Sequence, residues 1–304
     1  MGQVLRRLAA YRAGAAAFTL SLVLLPHLVL AADTLEKVRA NGYITIAYRE
    51  SSMPFSYLDA NKRPIGYAID ICTRLVDAVK VQLRMPRLET RYVAVTPQTR
   101  IAAIMDGTAD LECGSTTNNV ERRKQVAFTI PHYISGSRIL VKSDSNIKNI
   151  DDLKNRTIVT TVGTTTVKIL ATADQARGLH FKLIEGKDHA ESFAFVLAGT
   201  ADAFVMDDVL LYSLRATSKD PKATAIVGDF LSVEPYAIML RRDDPDFKKL
   251  VDSTMARLIL DYDVTRLYNR WFLSPIPPSG VSLDLPMSSL LRDSFKFPSD
   301  AVGD

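Results

Sequence analysis

The signatures that announce many enzymes are missing from this sequence. There is no G-x-x-x-x-G-K-[ST] loop to cradle a phosphate, no G-x-S-x-G elbow, and no H-E-x-x-H or C-x-x-C. Histidine is scarce at four residues, and His132, His180 and His189 lack zinc-ligand spacing, so no metal is expected. Cysteine is scarcer: Cys72 and Cys113 stand alone, too few for a disulfide scaffold but enough for one bridge or for two buried thiols. Excess charge is lacking too. The net +4 comes largely from Arg6, Arg7 and Arg12, and without residues 1–31 the 38 Lys+Arg fall to 35 against an unchanged 34 Asp+Glu. A near-neutral body gives no electrostatic reason to expect nucleic acid or a membrane surface as partner.

What is present begins with a leader. Three arginines precede an uncharged run over 13–32 that ends Val29-Leu30-Ala31. That order of charge, apolar stretch and small residues predicts a secretory signal peptide over 1–31, cleaved near Ala31. An uncleaved anchor is the alternative, since about 20 apolar residues can span a bilayer. Pro26 and the Ala31-Ala32 pair favour cleavage, and no cysteine is placed there for a lipid anchor. Export would put Cys72 and Cys113 in an oxidising compartment, where a bridge between them or two free thiols remain open. At 304 residues, 47% hydrophobic and 24% charged, the chain has material for one large or two ordinary domains with real cores.

Apolar periodicity alternates along the rest. Strands are predicted over 43–48, 91–95, 137–142, 157–162, 180–184 and 236–241. Helices are predicted over 34–40, 69–83, 98–105, 190–198 and 246–272. Such alternation argues for parallel α/β sheets. A short repeat runs through the pattern: Gly107-Thr108-Ala109-Asp110 recurs as Gly199-Thr200-Ala201-Asp202. Each copy follows a helix and leads into a strand, and eight residues past its glycine stands a polar side chain, Ser115 or Asp207. Both would lie at strand carboxyl ends, the edge where open α/β sheets bind ligands.

The loops at that edge carry donors. After Gly114 come Ser115, Thr116 and Thr117, then Asn118 with Glu121 three residues on, the spacing of a capping box, and then Arg122. A helix start with an adjacent arginine can hold a small anion; an ordinary capped surface helix would read the same. Arg49, Arg100 and Thr164 to Thr166 add further donors, and Asp207-Asp208 is the one carboxylate pair facing them. This is an inventory for recognition: donors for anions, and an acceptor for a cation.

With those residues in place, the chain resembles the periplasmic solute-binding proteins of bacterial amino-acid ABC importers (family 3), in particular their glutamate- and aspartate-binding members. The resemblance rests on Arg49-Glu50-Ser51-Ser52 with Pro54-Phe55-Ser56-Tyr57, on the run from Glu112 to Arg122, on Gly163-Thr164-Thr165, on Lys187-Asp188-His189, on Met206-Asp207-Asp208, and on Asn269 to Pro278. It implies a two-lobed type II fold with two hinge crossings, near 136–142 and 236–241, and a ligand in the interlobe cleft. Lobe 1 would comprise 32–138 plus 239–304, and lobe 2 would comprise 139–238. Carried over by position, Arg122 would pair with the ligand α-carboxylate, helped by Ser115, Thr117 and Thr165. Asp207 would accept the α-ammonium, and Arg49, Arg100 and His189 would surround the side-chain carboxylate. Pro97 stands where the family pattern has a serine, which removes a hydroxyl from that subsite. Counting three arginines against Asp207 leaves the site at +2, suited to an acidic amino acid.

The resemblance further implies a monomer that is no enzyme, needs no cofactor, and hands L-glutamate or L-aspartate to a membrane permease in the periplasm. Two rivals share the scaffold: a dehydratase of the cyclohexadienyl type, and a sensory ligand-binding protein.

Overall fold

The computed structural model describes residues 33–301, so the leader and its cleavage point lie outside the described residues. Two five-stranded sheets carry the architecture. The first orders its strands Glu89–Ala94, Tyr43–Tyr48, Leu111–Cys113, Met239–Arg241 and Val126–Phe128. The second orders them Lys182–Gly186, Thr157–Thr161, Ala203–Asp207, Ser137–Lys142 and Thr224–Val227. A two-stranded ribbon, Tyr133–Ser135 against Glu234–Tyr236, links them. This is the two-lobed fold with two crossings.

The sheets are mixed where alternation predicted parallel ones. In each, the fourth strand runs against its neighbours: Met239–Arg241 in the first and Ser137–Lys142 in the second. Both are the strands the chain enters directly from the ribbon. A parallel neighbour needs a crossover of a dozen or more residues, and these two arrive without a helix. The segment expected as one strand over 236–241 is accordingly split between ribbon and first sheet. Its two pieces are separated by Ala237 and Ile238, whose N–H groups donate to Thr116 O and Thr129 Oγ1.

The Gly-Thr-Ala-Asp repeat performs one task twice. Gly107 and Gly199 stand at φ 77° and 76° just past their helices, a left-handed turn that suits glycine. Asp110 then donates its N–H to Thr45 O and accepts the Thr45 N–H on Oδ2 at 2.8 Å. Asp202 does the same to Thr157, also at 2.8 Å. Each aspartate thus fastens its strand to the neighbouring one, and the strands deliver Ser115 and Asp207 to the same edge of their sheets.

Helix Tyr67–Leu83 buries Ile71, Leu75, Val76 and Val79 against the first sheet, the spacing of an amphipathic helix. Its Cys72 is bonded to Cys113 at the end of strand Leu111–Cys113, which decides between bridge and free thiols. The long helix expected over 246–272 is two, Pro245–Leu260 and Asp263–Phe272, because Tyr262 turns left-handed at φ 61°. Trp271 is 2% exposed, and its Nε1 donates to Asp70 at 2.8 Å. Phe55 is a core residue, its ring 5.0 Å from Tyr133 and 5.2 Å from Tyr236 of the ribbon.

Candidate functional site

Arg49 follows strand Tyr43–Tyr48, Arg100 opens helix Arg100–Met105, and Arg122 lies in the short helix Val120–Arg123. Their exposures are 1, 2 and 8%, so all three guanidinium groups leave water. Burial, with Arg100 close by, pushes both Arg49 and Arg122 down to about 9. All remain cations at neutral pH.

The helix cap lies one residue later than the capping pattern suggested. The cap is Asn119, whose Oδ1 accepts from Arg122 N at 2.9 Å. Asn118 is occupied elsewhere: its N–H donates to Pro235 O and its Oδ1 accepts from Arg123 Nε at 2.7 Å. Glu121 pairs with Lys124. The helix is four residues long, so what it offers an anion is the Arg122 side chain. That side chain is aimed by two carbonyls, Thr117 O at 2.9 Å and Gly163 O at 3.3 Å.

Gly163 brings the loops of the two sheets together. At φ 75°, a Cβ there would lie 2.8 Å from the Pro97 carbonyl carbon and 2.7 Å from Gln98 Cα, so only glycine permits this approach. Arg100 also reaches Gly163 O, at 3.5 Å. His189, first residue of helix His189–Ala198, is capped by Asp188 and is 2% exposed. Its Nε2 lies 3.4 Å from Arg49 Nη2 and its Nδ1 lies 3.0 Å from Thr161 Oγ1. A guanidinium only donates, so Nε2 accepts and the proton belongs on Nδ1. Burial, then Arg49 and Arg100, hold the ring well below its usual pKa, and it is neutral.

Asp207 ends strand Ala203–Asp207 at 5% exposure. It accepts from the Tyr236 hydroxyl and from Ser137 Oγ, the latter at 3.0 Å. Burial and then the negative charge of Glu234 push its carboxyl up to about 7. Seven of the eight expected residues, Arg100, Ser115, Thr117, Arg122, Thr165, His189 and Asp207, line one cavity of about 10 Å3, the room of roughly one water. Arg49 sits behind it against His189. Thr165 Oγ1 donates to Glu234 Oε2 at 3.0 Å, and Ser115 Oγ to Ser52 Oγ at 3.3 Å.

Sequence reasoning passed over two carboxylates. Glu112, 0% exposed, accepts from Thr116 Oγ1 at 2.6 Å and lies beside Arg49 across Gly114. Glu234, 3% exposed, adjoins Arg122 and Asp207. The charge count is therefore three arginines against three carboxylates, formally zero and not +2. One signal was available: Glu112 interrupts a strand whose neighbours Leu111 and Cys113 are apolar. Tyr236, which fastens Asp207 to the ribbon, carried none.

Among the described residues no group of three or more His, Cys, Asp or Glu is placed to hold a metal, and no helix is long and apolar enough to cross a membrane.

Comparison with known proteins gives the same frame. Residues 44–274 match the family of bacterial extracellular solute-binding proteins, family 3. The L-glutamate/L-aspartate-binding protein of Pseudomonas aeruginosa is 43% identical, covering 89% of this chain and 90% of its own. The glutamate/aspartate import solute-binding protein of Escherichia coli is 41% identical, covering 89% of each. Among solved structures, an ancestral amino-acid-binding protein described as a precursor of cyclohexadienyl dehydratase superposes with a TM-score of 0.66 at 27% identity, over 79% of this chain and 99% of its own. An ancestral arginine-binding protein bound to arginine reaches 0.68 at 23% identity, over 76% and 98%, a likeness of fold alone.

Proposed function

The chain belongs to the bacterial extracellular solute-binding proteins of family 3, and from that membership we propose that it captures L-glutamate or L-aspartate between its two sheets and delivers it to an ABC permease. One observation carries the acidic ligand. Arg49 Nη1 and Arg100 Nε are buried with no hydrogen-bond partner among the described residues. A buried donor left unpaired costs about 1–3 kcal/mol, more when charged. A ligand side-chain carboxylate between them would satisfy both, whereas an amide offers one neutral acceptor and two donors of its own. This argument replaces the net-charge one, since Glu112 and Glu234 bring the site to zero.

In this reading Arg122 takes the α-carboxylate through charge-assisted hydrogen bonds, with Ser115, Thr117 and Thr165 completing the donors. Asp207 takes the α-ammonium, while His189 helps Arg49 and Arg100 at the side chain. Residues from both sheets meet the ligand, so binding holds them together by hinge closure. The small cavity supports this: an amino acid needs more room, so it enters with the loops at Gly163 and Pro97 apart. We place lobe 1 at 32–138 plus 239–304 and lobe 2 at 139–238. Met239–Arg241 lies in the first sheet, and strand Ser137–Lys142 already lies in the second. The protein is read as a periplasmic monomer, exported by its leader, that binds without catalysing.

Calorimetry with L-glutamate, L-aspartate, L-glutamine and prephenate tests this. Saturable heat with an acidic amino acid, weaker or absent heat with glutamine, and no product from prephenate are expected. Absence of heat with both acidic amino acids sinks the proposal, and turnover of prephenate would replace it with the dehydratase reading.

A further inference from the structure

A second cavity, of about 290 Å3, lies beside the ribbon and shares no lining residue with the first. Ribbon residues Tyr133 and Ser135 form part of its wall, together with Asp208, Tyr268, Phe230 and the C-terminal Leu291. Its lining is mainly apolar and contains no lysine, arginine or histidine. The single charge is Asp208. Its Oδ1 accepts from Ser135 Oγ and from Val209 N–H, both at 2.7 Å. No hydrogen bond within 3.5 Å reaches its Oδ2 from the described residues and none of their cations pairs with it, although the Gly136 N–H lies close enough to favour the charged carboxyl. Arg138, the nearest positive influence, is committed to Gly228 O and the Tyr212 hydroxyl, both at 3.0 Å. Burial raises the Asp208 carboxyl above its usual range, against the opposing pull of Ser135, of the Val209 and Gly136 N–H groups and of Arg138.

We propose that this cavity is a second binding site, for a small primary ammonium ion carrying an apolar body and no carboxylate. The ammonium would sit on Asp208 Oδ2, and the body against Tyr133, Tyr268 and Leu291. A free amino acid is a poor fit, because its carboxylate would find no cation in the lining. A volume near the lower end of small-molecule pockets suits a ligand of phenethyl size. The walls come from the ribbon, from the helix that begins at Asp208 and from the C-terminal segment, so an occupant would restrain the crossing between the sheets. This site does not depend on the acidic amino-acid reading of the first.

The test titrates 2-phenylethylamine, with 2-phenylethanol and L-phenylalanine as comparisons, into the whole protein and into two variants. Asp208→Asn keeps the acceptor for Ser135 and Val209, and Leu290→Arg places a cation at the exposed rim. The amine should bind saturably, about tenfold or more tightly than the alcohol, because the alcohol O–H can still donate to the carboxylate but lacks the ammonium's charge. L-phenylalanine should bind no better than the alcohol, and both variants should lose the amine preference. Each variant is also titrated with L-glutamate, so failure of the first site reads separately. Should Asp208→Asn fail to fold, Leu290→Arg decides alone. Equal binding of amine and alcohol, an unchanged amine affinity in the folded variants, or no saturation by about 10 mM amine overturns the proposal.

Discussion

The Tyr236 hydroxyl donates to the carboxylate of Asp207, so the ribbon that joins the sheets is fastened to the residue assigned to the ligand ammonium. Tyr236→Phe removes that donor and leaves the packing. Hydrogen bonds to charged groups are worth about 1.5–3 kcal/mol, so glutamate affinity should fall by roughly ten- to a hundredfold by calorimetry. Unchanged affinity would separate the ribbon from the site.

Asp207 also sets a pH dependence. Its carboxyl is held up to about 7 in the fold against about 3.9 in an unfolded chain. The folded state binds the extra proton, so this contribution to stability is full below about pH 4 and is lost as pH rises to 7. Asp207→Asn should remove that fall from the ligand-free melting profile. With ligand, the ammonium favours the ionised carboxyl, so binding near neutral pH should release a proton. Calorimetry in buffers of differing ionisation heat checks it: equal apparent enthalpies would contradict the assignment.

His132 predicts the opposite limb. Both ring nitrogens are buried without partners among the described residues, the Tyr67 and Phe55 rings pack beside it, and burial takes its pKa to about 3. Folding keeps the ring neutral, so its contribution is present above about 6.5 and is lost as pH falls toward 3. His132→Phe should flatten the acid side of a plot of melting temperature against pH, by an amount on the order of a few kcal/mol. An acid limb of unchanged slope would assign that loss elsewhere.

Arg122 and Arg100 should differ in the way they fail. Arg122→Lys keeps the charge but loses the planar fork, and Arg122→Ala leaves the ligand carboxylate without its cation and removes a positive charge near Glu234. The alanine variant should lose about 2–5 kcal/mol of binding to glutamate and aspartate alike. Arg100→Ala should weaken acidic ligands and narrow their margin over glutamine. Equal losses for all three ligands would move Arg100 out of the side-chain subsite.

The Cys72–Cys113 bridge closes a sequence separation of 41 residues between a helix and a strand end. Loop-closure entropy of that size is worth about 4 kcal/mol at most, and measured values for disulfides cluster at roughly 2–4. A Cys72→Ala, Cys113→Ala double variant should unfold at lower denaturant by that amount. It should still bind glutamate when folded, since neither sulfur faces the first cavity.

What the sequence by itself determined is what local chemistry decides. Strands 43–48 and 137–142 were legible from alternation. Helix ends were legible from Gly107 and Gly199, and the paired sheet edges from the Gly-Thr-Ala-Asp repeat. Arg122 and Asp207 could be named because the family motif carries them. Only the tertiary structure decided the rest. The reversed fourth strands depend on where the ribbon delivers the chain. The choice of Asn119 over Asn118 as cap depends on Pro235 and Arg123, and the bridge depends on a meeting of helix and strand. Glu112 and Glu234 are the clearest case. A glutamate in a short strand is as compatible with solvent as with a core, and its burial beside arginines is a property of neighbours distant in sequence. That same distance turned a site counted at +2 into one of formal charge zero, for which we propose a preference resting on unpaired donors.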